Sequence, residues 1–144
     1  MAEKYKREGN IGIAYTYNEP TIWYEFVYET SRLAKEKGLK NILVTNGYIS
    51  REPLEQILPY IDAMNIDVKS FNPSFYKNIC RGSLENIKET VEISAKKCHV
   101  EVTTLFIPGH NDTDEEIEAL SQWLSSISEQ IVLHLTRSFP NYRM

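Results

Sequence analysis

Six polar residues that could do chemistry stand in pairs, and each pair lies at or just beyond the end of a β-prone run of the sequence. In chain order the pairs are Asn18 with Glu19, Thr45 with Asn46, and Asp67 with Lys69. In parallel α/β folds, ligands bind at the carboxyl ends of the strands. The three pairs therefore predict one site, built from three strand ends.

The first pair leaves two interpretations open. Glu19 could bind an amine or act as an acid or base. It could equally do no more than favour the N-terminus of the helix that begins near Pro20. Asn18 adds a second polar side chain at the same rim, which a purely structural role for Glu19 does not explain.

The second pair belongs to a Thr45-Asn46-Gly47 segment that offers a hydroxyl, an amide and a flexible backbone. Taken alone, it favours a simple turn after a strand, because Asn-Gly is a common turn pair.

The third pair, Asp67 and Lys69, is spaced two residues apart on a strand, so both side chains point to the same face. Opposite charges on an apolar strand are costly unless they are paired or functional. A salt bridge is one interpretation. We favour a ligand clamp, with Lys69 on a carboxylate. Lys69 could also form a Schiff base with a carbonyl substrate.

The histidines and cysteines do not form a metal-binding pattern. His99, His110 and His134 are scattered, so no metal site follows from them. Cys80 and Cys98 have no metal-type spacing and are interpreted as two reduced structural thiols.

The elements that would position these residues form a repeating strand–helix pattern. Strands are predicted near 11–17, 41–44, 64–69, 99–107 and 131–135, with helices near 20–37, 53–58, 84–97 and after a Thr113–Glu116 capping box. The turn containing Asn111 is interpreted as structural. The pattern predicts an α/β fold, a partial parallel (β/α) barrel of about five strands with outer helices, because a complete barrel needs about 250 residues.

Two burial predictions follow from the apolar patterns. Ile42–Val44 is a continuous apolar run, as in a parallel strand covered on both faces. The first long helix is predicted to bury one apolar stripe, made of Ile22, Trp23, Phe26, Val27, Leu33 and Ala34.

Composition sets broad limits on the class of protein. The chain has 144 residues, 42% apolar and 25% charged, which suits one globular domain. Its net charge of −4 argues against bulk attraction to nucleic acid or anionic membrane. It has no apolar run near the roughly 20 residues that span a bilayer and no signal-peptide pattern, so we expect a cytoplasmic protein.

The ordered segments resemble those of a known family. IAYTYNEP, LVTNGY, NIDVKSF, VTTLFIPGHND and LHLTRSFPNYRM are similar to successive segments of radical S-adenosylmethionine (SAM) enzymes, in particular pyruvate formate-lyase activating enzymes and AmmeMemoRadiSam-type proteins. The resemblance implies a partial (β/α)6 barrel. It also implies a [4Fe-4S] cluster on a CxxxCxxC loop, which cleaves bound SAM to a hydrogen-abstracting 5′-deoxyadenosyl radical. Implied partners are SAM, a protein substrate and a flavodoxin- or ferredoxin-like reductant.

Site residues can be carried over from this family by motif. The YNEP segment stands in the place of the family's GGEP, which binds the SAM amino group, with Asn18 replacing a glycine beside Glu19. Thr45-Asn46 matches the next SAM-facing turn, although Val44 stands where activating enzymes often have Asp.

One further pair completes the carry-over. Asp67 and Lys69 match the family's D-x-K pair, with Lys69 on the SAM carboxylate. Phe139 stands where some activating enzymes place a SAM-contacting His, so that contact is not carried over.

The chain departs from the family in lacking CxxxCxxC. We expect residues 1–144 to be one barrel domain truncated at both ends, which alone does not assemble the cluster and has no radical chemistry. Two alternatives remain: a Schiff-base lyase using Lys69, and a non-catalytic module whose open sheet edge is completed by a partner chain.

Overall fold

A computed structural model describes residues 2–139 of the chain and shows five parallel strands. Each strand pairs with the next one along the chain, in the order β1-β2-β3-β4-β5. The strands are β1 (Gly12–Tyr15), β2 (Lys40–Thr45), β3 (Ala63–Asp67), β4 (His99–Phe106) and β5 (Val132–Arg137). All five predicted strands are present, with ends shifted by no more than two residues.

Helices connect the strands. They are α1 (Tyr24–Glu36), α2 (Arg51–Ile57), α3 (Pro73–Phe75), α4 (Leu84–Ser94) and α5 (Asp114–Ile127). Short 3-10 helices cover Ala2–Glu8, Pro20–Trp23 and Leu58–Tyr60, and a π-helical turn covers Tyr76–Cys80. No helix within residues 2–139 combines the length and apolar character needed to cross a bilayer.

The strand order identifies the architecture. In a doubly wound sheet the order reverses at a switch point. Here the order never reverses, so the sheet winds in one direction like the wall of a barrel. The predicted fold class, an α/β partial parallel barrel, is confirmed. Within residues 2–139, β1 and β5 are the edge strands. The final segment of the LHLTRSFPNYRM motif, residues 140–144, lies outside the described residues.

The main hydrophobic core lies between the sheet and its helices. Ile66, Val68, Val91 and Val102 are fully buried there. The prediction that β2 is covered on both faces is wrong: Leu43 is 3% exposed, whereas its neighbour Val44 is 37% exposed. Helices cover only one face of this strand, and the other face lines the concave side of the sheet.

The predicted apolar stripe of the first helix is partly wrong. Val27 and Ala34 are buried, but Ile22, Phe26 and Leu33 are 79%, 61% and 47% exposed. The 3-10 turn before α1 explains Ile22, because a turn of three residues is out of phase with the α-helix that follows. Phe26 and Leu33 each precede a buried residue by one position, about 100° around the helix, so they lie beside the buried face that carries Val27 and Ala34.

Candidate functional site

A cavity of about 580 Å³ opens at the carboxyl ends of β1, β2 and β3. It is lined by all six residues that the sequence singled out, Asn18, Glu19, Thr45, Asn46, Asp67 and Lys69, together with Thr16, Tyr17 and Val44. The structure thus brings the three pairs into one site. The sequence reasoning did not assign Thr16, Tyr17 and Val44 to the lining. The alternation of side chains along β1 and β2 could have found Thr16 and Val44.

Glu19 is buried at the rim and its carboxylate is fixed by several donors. Its Oε1 accepts hydrogen bonds from the Thr21 backbone N–H (3.1 Å), the Thr21 hydroxyl (3.0 Å) and the Thr45 hydroxyl (2.6 Å). Its Oε2 accepts one from the Asn46 backbone N–H at 2.7 Å. Glu19 therefore caps the 3-10 turn that begins at Pro20 and also ties the end of β1 to the end of β2.

The turn after β2 is closed by its own side chains. The Thr45 hydroxyl accepts from the Gly47 N–H at 3.1 Å, and the Asn46 side chain accepts from the Tyr48 N–H at 2.8 Å. Gly47 has φ +73°, and a Cβ there would lie 2.7 Å from Cγ2 of Ile66. This position accommodates only glycine, which fixes how Asn46 enters the cavity.

Asp67 and Lys69 point to the same side, as predicted, and form an ion pair facing the cavity. Their side chains are 33% and 43% exposed. The Lys69 backbone is held on both sides: its N–H donates to the Tyr76 hydroxyl (2.8 Å), and its carbonyl accepts from the Asn111 side chain (2.6 Å). A charged, half-exposed pair on a fixed backbone suits a zwitterionic ligand, which has charges of both signs.

Asn111 supports the loop after β4, in keeping with the structural role interpreted for its turn. It is 1% exposed, accepts from the Ile107 N–H at 2.7 Å and donates to the carbonyls of Lys69 and Leu105. The side chain therefore couples the β4 loop to Lys69.

The predicted Thr113–Glu116 capping box is half formed. The Thr113 hydroxyl accepts from the Glu116 N–H at 3.2 Å, as expected. The Glu116 carboxylate instead accepts from the Phe71 N–H at 2.6 Å and from the Ser70 hydroxyl. It thus holds the segment that follows Lys69, whereas the capping motif predicted a hydrogen bond to the Thr113 backbone.

The histidines on the concave face pair with a glutamate. His134 Nε2 lies 2.7 Å and His99 Nε2 lies 3.2 Å from the Glu101 carboxylate. Hydrogen bonds with His134 and His99 hold the pKa of Glu101 below its usual value, outweighing its slight burial. Both histidine side chains are about half exposed.

The cysteines do not fit an iron–sulfur cluster. Cys80 follows β3 at the site end of the sheet, whereas Cys98 precedes β4 at the opposite end, where burial raises its pKa to about 11. Across residues 2–139, no three His, Cys, Asp or Glu side chains are placed to hold a metal ion. A [4Fe-4S] cluster requires thiolates that these residues do not supply.

The five parallel strands follow one another in sequence order, as in a (β/α) barrel, and a polar cavity lies at their carboxyl ends. These features define a class of α/β ligand-binding protein. Comparison with known proteins narrows that class. The radical SAM superfamily model matches residues 1–124, so the chain belongs to the radical SAM superfamily.

Relatives place the chain near activating enzymes. It is 43% identical over 135 residues to "Uncharacterized protein MJ0808" of Methanocaldococcus jannaschii, covering 92% of this chain and 40% of that protein. It is 26% identical over 121 residues to the (2S)-3-sulfopropanediol dehydratase activating enzyme of Klebsiella oxytoca, covering 83% of this chain and 38% of that enzyme. The chain therefore spans about two fifths of the length of these relatives.

The fold is shared with a solved structure. A domain of pyruvate-formate lyase-activating enzyme from Bacteroides vulgatus superposes with a TM-score of 0.73 at 17% identity, covering 92% of this chain and 81% of that domain. At this identity the likeness concerns the fold alone.

Proposed function

We propose that this chain forms the SAM-binding part of a radical SAM enzyme resembling the glycyl-radical activating enzymes. The observation that carries the proposal is the cavity of about 580 Å³, which gathers the side chains of three family motifs at neighbouring strand ends. Its volume lies within the roughly 300–1,000 Å³ typical of small-molecule sites. The relatives that are activating enzymes support the same assignment.

The polar groups suit the amino-acid end of SAM, which carries an ammonium and a carboxylate. We assign the carboxylate to Lys69, because a lysine ammonium is a strong partner for such a group. We assign the ammonium to Asn18 and Glu19. Glu19 Oε2 accepts a single hydrogen bond within residues 2–139, so it retains acceptor capacity. Asp67 keeps Lys69 pointing into the cavity.

The described residues do not account for redox chemistry. The superfamily resemblance implies a [4Fe-4S] cluster that supplies the electron for SAM cleavage, but residues 2–139 do not fit one. We therefore assign binding and orientation of SAM to this chain and no electron-transfer step. A protein substrate and a flavodoxin- or ferredoxin-like reductant are proposed as partners of a cluster-bearing enzyme. One domain over residues 1–144 and a cytoplasmic location stay predictions.

Isothermal titration of S-adenosylhomocysteine, which retains the amino-acid end of SAM, tests the proposal. We expect Lys69→Gln to weaken binding by about 10- to 100-fold, because a hydrogen bond to a charged group contributes about 1.5–3 kcal/mol. Lys40→Gln is the matched control. Lys40 also pairs with an aspartate, at 2.9 Å from Asp62, but it lies at the opposite end of the sheet.

Equal weakening by Lys69→Gln and Lys40→Gln, or no binding by any form, would contradict the proposal. Borohydride trapping then examines the Schiff-base alternative. A carbonyl adduct on Lys69 would favour a lyase. The ion pair of Lys69 with Asp67 favours charge pairing over nucleophilic attack.

A further inference from the structure

A second cavity of about 360 Å³ adjoins the first and shares Asn46 and Lys69 with it. The loops after β2 and β3 and helix α4 form its wall, so it opens at the same ligand-binding edge of the sheet. The remaining lining residues are Tyr48, Tyr76, Cys80, Arg81, Gly82 and Ile87. Of these residues, only Tyr48 belongs to a family-like segment, LVTNGY, and none was predicted as a site residue.

Arg81 gives the second cavity a positive charge that no carboxylate of its lining balances. Lys69 also lines the cavity, but its ammonium is paired with Asp67. The arginines with ion pairs in residues 2–139 are Arg32 and Arg51, and Arg81 has none there. Its guanidinium therefore keeps its donors available. A guanidinium presents a planar fork that matches a carboxylate bidentately.

The backbone around Arg81 is held in an unusual conformation. Arg81 has φ 55°, and it is the one non-glycine residue with positive φ among the described residues. It ends the π-helical turn Tyr76–Cys80, and the Gly82 N–H donates to the Tyr76 carbonyl at 3.0 Å. The Tyr76 hydroxyl in turn accepts from the Lys69 N–H. π-Helical turns and left-handed non-glycine residues occur often at functional sites.

The walls of the second cavity are flat and aromatic. Tyr76 is 3% exposed, and a Cβ on Gly82 would lie 3.2 Å from the Tyr48 ring, so the ring packs against the glycine. Ile87 is 1% exposed and adds an apolar surface. A cavity lined by aromatic rings, with a cation among its lining residues, suits a flat organic molecule with one anionic group.

We propose that the second cavity binds the carboxylate of a second ligand, held by Arg81 beside the SAM cavity. The inference rests on the proposed function, because SAM in the first cavity makes the second ligand its reaction partner. The carboxylate could otherwise be that of SAM itself, and the test separates the two sources.

Cys80 provides the readout, because its thiol lines the second cavity. Iodoacetate and iodoacetamide alkylate a thiolate in the same way, by displacement of iodide, but only iodoacetate is anionic. We expect the iodoacetate-to-iodoacetamide rate ratio at Cys80 to fall about 3- to 10-fold in Arg81→Asn, as loss of one charge within several ångströms predicts. Peptide mass spectrometry measures both cysteines, and the ratio at Cys98 should not change.

The variants are chosen to keep the fold. Asn tolerates the left-handed conformation of Arg81, and Arg81→Gly adopts it freely. Lys77→Asn is the matched control. It removes a cation from the same turn, but this exposed side chain does not line the cavity. Benzoate should slow iodoacetamide alkylation of Cys80 in wild type, whereas uncharged benzamide should not.

The outcomes separate the two proposals. The ratio to compare is the iodoacetate-to-iodoacetamide alkylation rate ratio at Cys80, which should be higher in wild type than in Arg81→Asn. If S-adenosylhomocysteine binds and this difference persists in its presence, a second carboxylate site is supported. If S-adenosylhomocysteine abolishes the ratio, the cavity belongs to the SAM site and the inference is overturned. An equal ratio in wild type and Arg81→Asn also overturns it, leaving the SAM proposal intact. A persistent ratio without S-adenosylhomocysteine binding overturns the SAM proposal, and with it the role of the second ligand as a reaction partner, but supports the carboxylate site itself.

Discussion

One buried carboxylate joins two chain segments at the rim of the site. Glu19 accepts four hydrogen bonds, from Thr21, Thr45 and Asn46. In Glu19→Gln an amide NH2 group replaces one carboxylate oxygen, and this group cannot accept the hydrogen bonds that the oxygen accepted. We expect a loss of about 1–3 kcal/mol in the free energy of unfolding, the cost of leaving a buried donor unpaired next to a lost charge. Urea unfolding measures it.

Glu25→Gln is the control for this substitution. Glu25 is exposed in the first turn of α1 and makes no hydrogen bond within the described residues. Its substitution should change stability by less than about 0.5 kcal/mol. Equal stabilities of the two variants would contradict the structural role of Glu19.

A second carboxylate, Asp62, ties the starts of β2 and β3 together. It accepts from Lys40 Nζ at 2.9 Å and from the Asn41 N–H at 3.0 Å. Burial alone would raise the pKa of Asp62, but these bonds and the charge of Lys35 outweigh it and hold that pKa below its usual value. Because the folded pKa is the lower one, the stabilisation is present above the unfolded pKa and is lost as the pH falls through the folded value.

Asp62→Asn should therefore destabilise the protein at pH 7 by about 1–2 kcal/mol, with the difference from wild type shrinking below about pH 4. Urea unfolding between pH 3 and pH 7 measures both effects. Glu129→Gln, at an exposed position with no ion pair in residues 2–139, is the control. A difference that stays constant with pH would rule out the charge as its cause.

At the scale of elements, the repeating pattern of strands and helices was sufficient to predict the fold. Leu120 and Leu124 of α5 are buried as their helical spacing requires. The stripe of α1 failed at Ile22, because sequence does not reveal where a 3-10 turn becomes an α-helix. It failed at Phe26 because the apolar stripe is wider than the face that the sheet covers, and the pattern does not show which edge stays exposed. Exposure of Val44 was missed for another reason: an apolar run does not say how many faces of a strand are covered.

The strand pattern also predicted that six of the nine lining residues lie near one another. These six residues stand at or just beyond strand ends, and parallel strands bring their carboxyl ends to one edge. The supporting contacts could not be predicted, since Glu116 reaches Phe71 and Asn111 reaches Lys69 across more than 40 residues. Such contacts depend on how loops pack, and no local periodicity encodes that.

The turn between β2 and α2 offers a prediction about backbone geometry. In Gly47→Ala the new Cβ would lie 2.7 Å from Cγ2 of Ile66, and the alanine backbone would have to adopt a left-handed conformation. We expect a loss of about 2–4 kcal/mol, the sum of backbone strain and overpacking. Thermal unfolding measures it, and S-adenosylhomocysteine binding should weaken as Asn46 moves.

Gly109→Ala is a matched control for the turn. Gly109 also has a positive φ, +77°, but nothing lies within 4 Å of the Cβ it would gain. It should therefore show the backbone cost alone, about 1 kcal/mol. Equal losses at the two glycines would mean that the contact with Ile66 is relieved at no cost.

At the scale of the whole molecule, the sheet is unevenly protected. β3 lies at its centre and is hydrogen-bonded to a strand on each side. β5 is at one edge of the described sheet, where Val132 and Leu135 are 44% and 47% exposed, whereas Ile66 of β3 is fully buried. Local opening is cheapest where few apolar contacts must be broken.

Amide hydrogen exchange should therefore be slowest in β3 and at least about tenfold faster in β5, a difference of about 1.4 kcal/mol in opening free energy. Mass spectrometry of peptides covering each strand measures it. The peptide covering β4 is the internal reference, because β4 pairs on both sides yet borders β5. If β5 exchanged as slowly as β3, its exposed face would have to be covered in solution. If β4 exchanged as fast as β5, the two strands would open as one unit, and the stable part of the barrel wall would end at the Asp67–Lys69 strand.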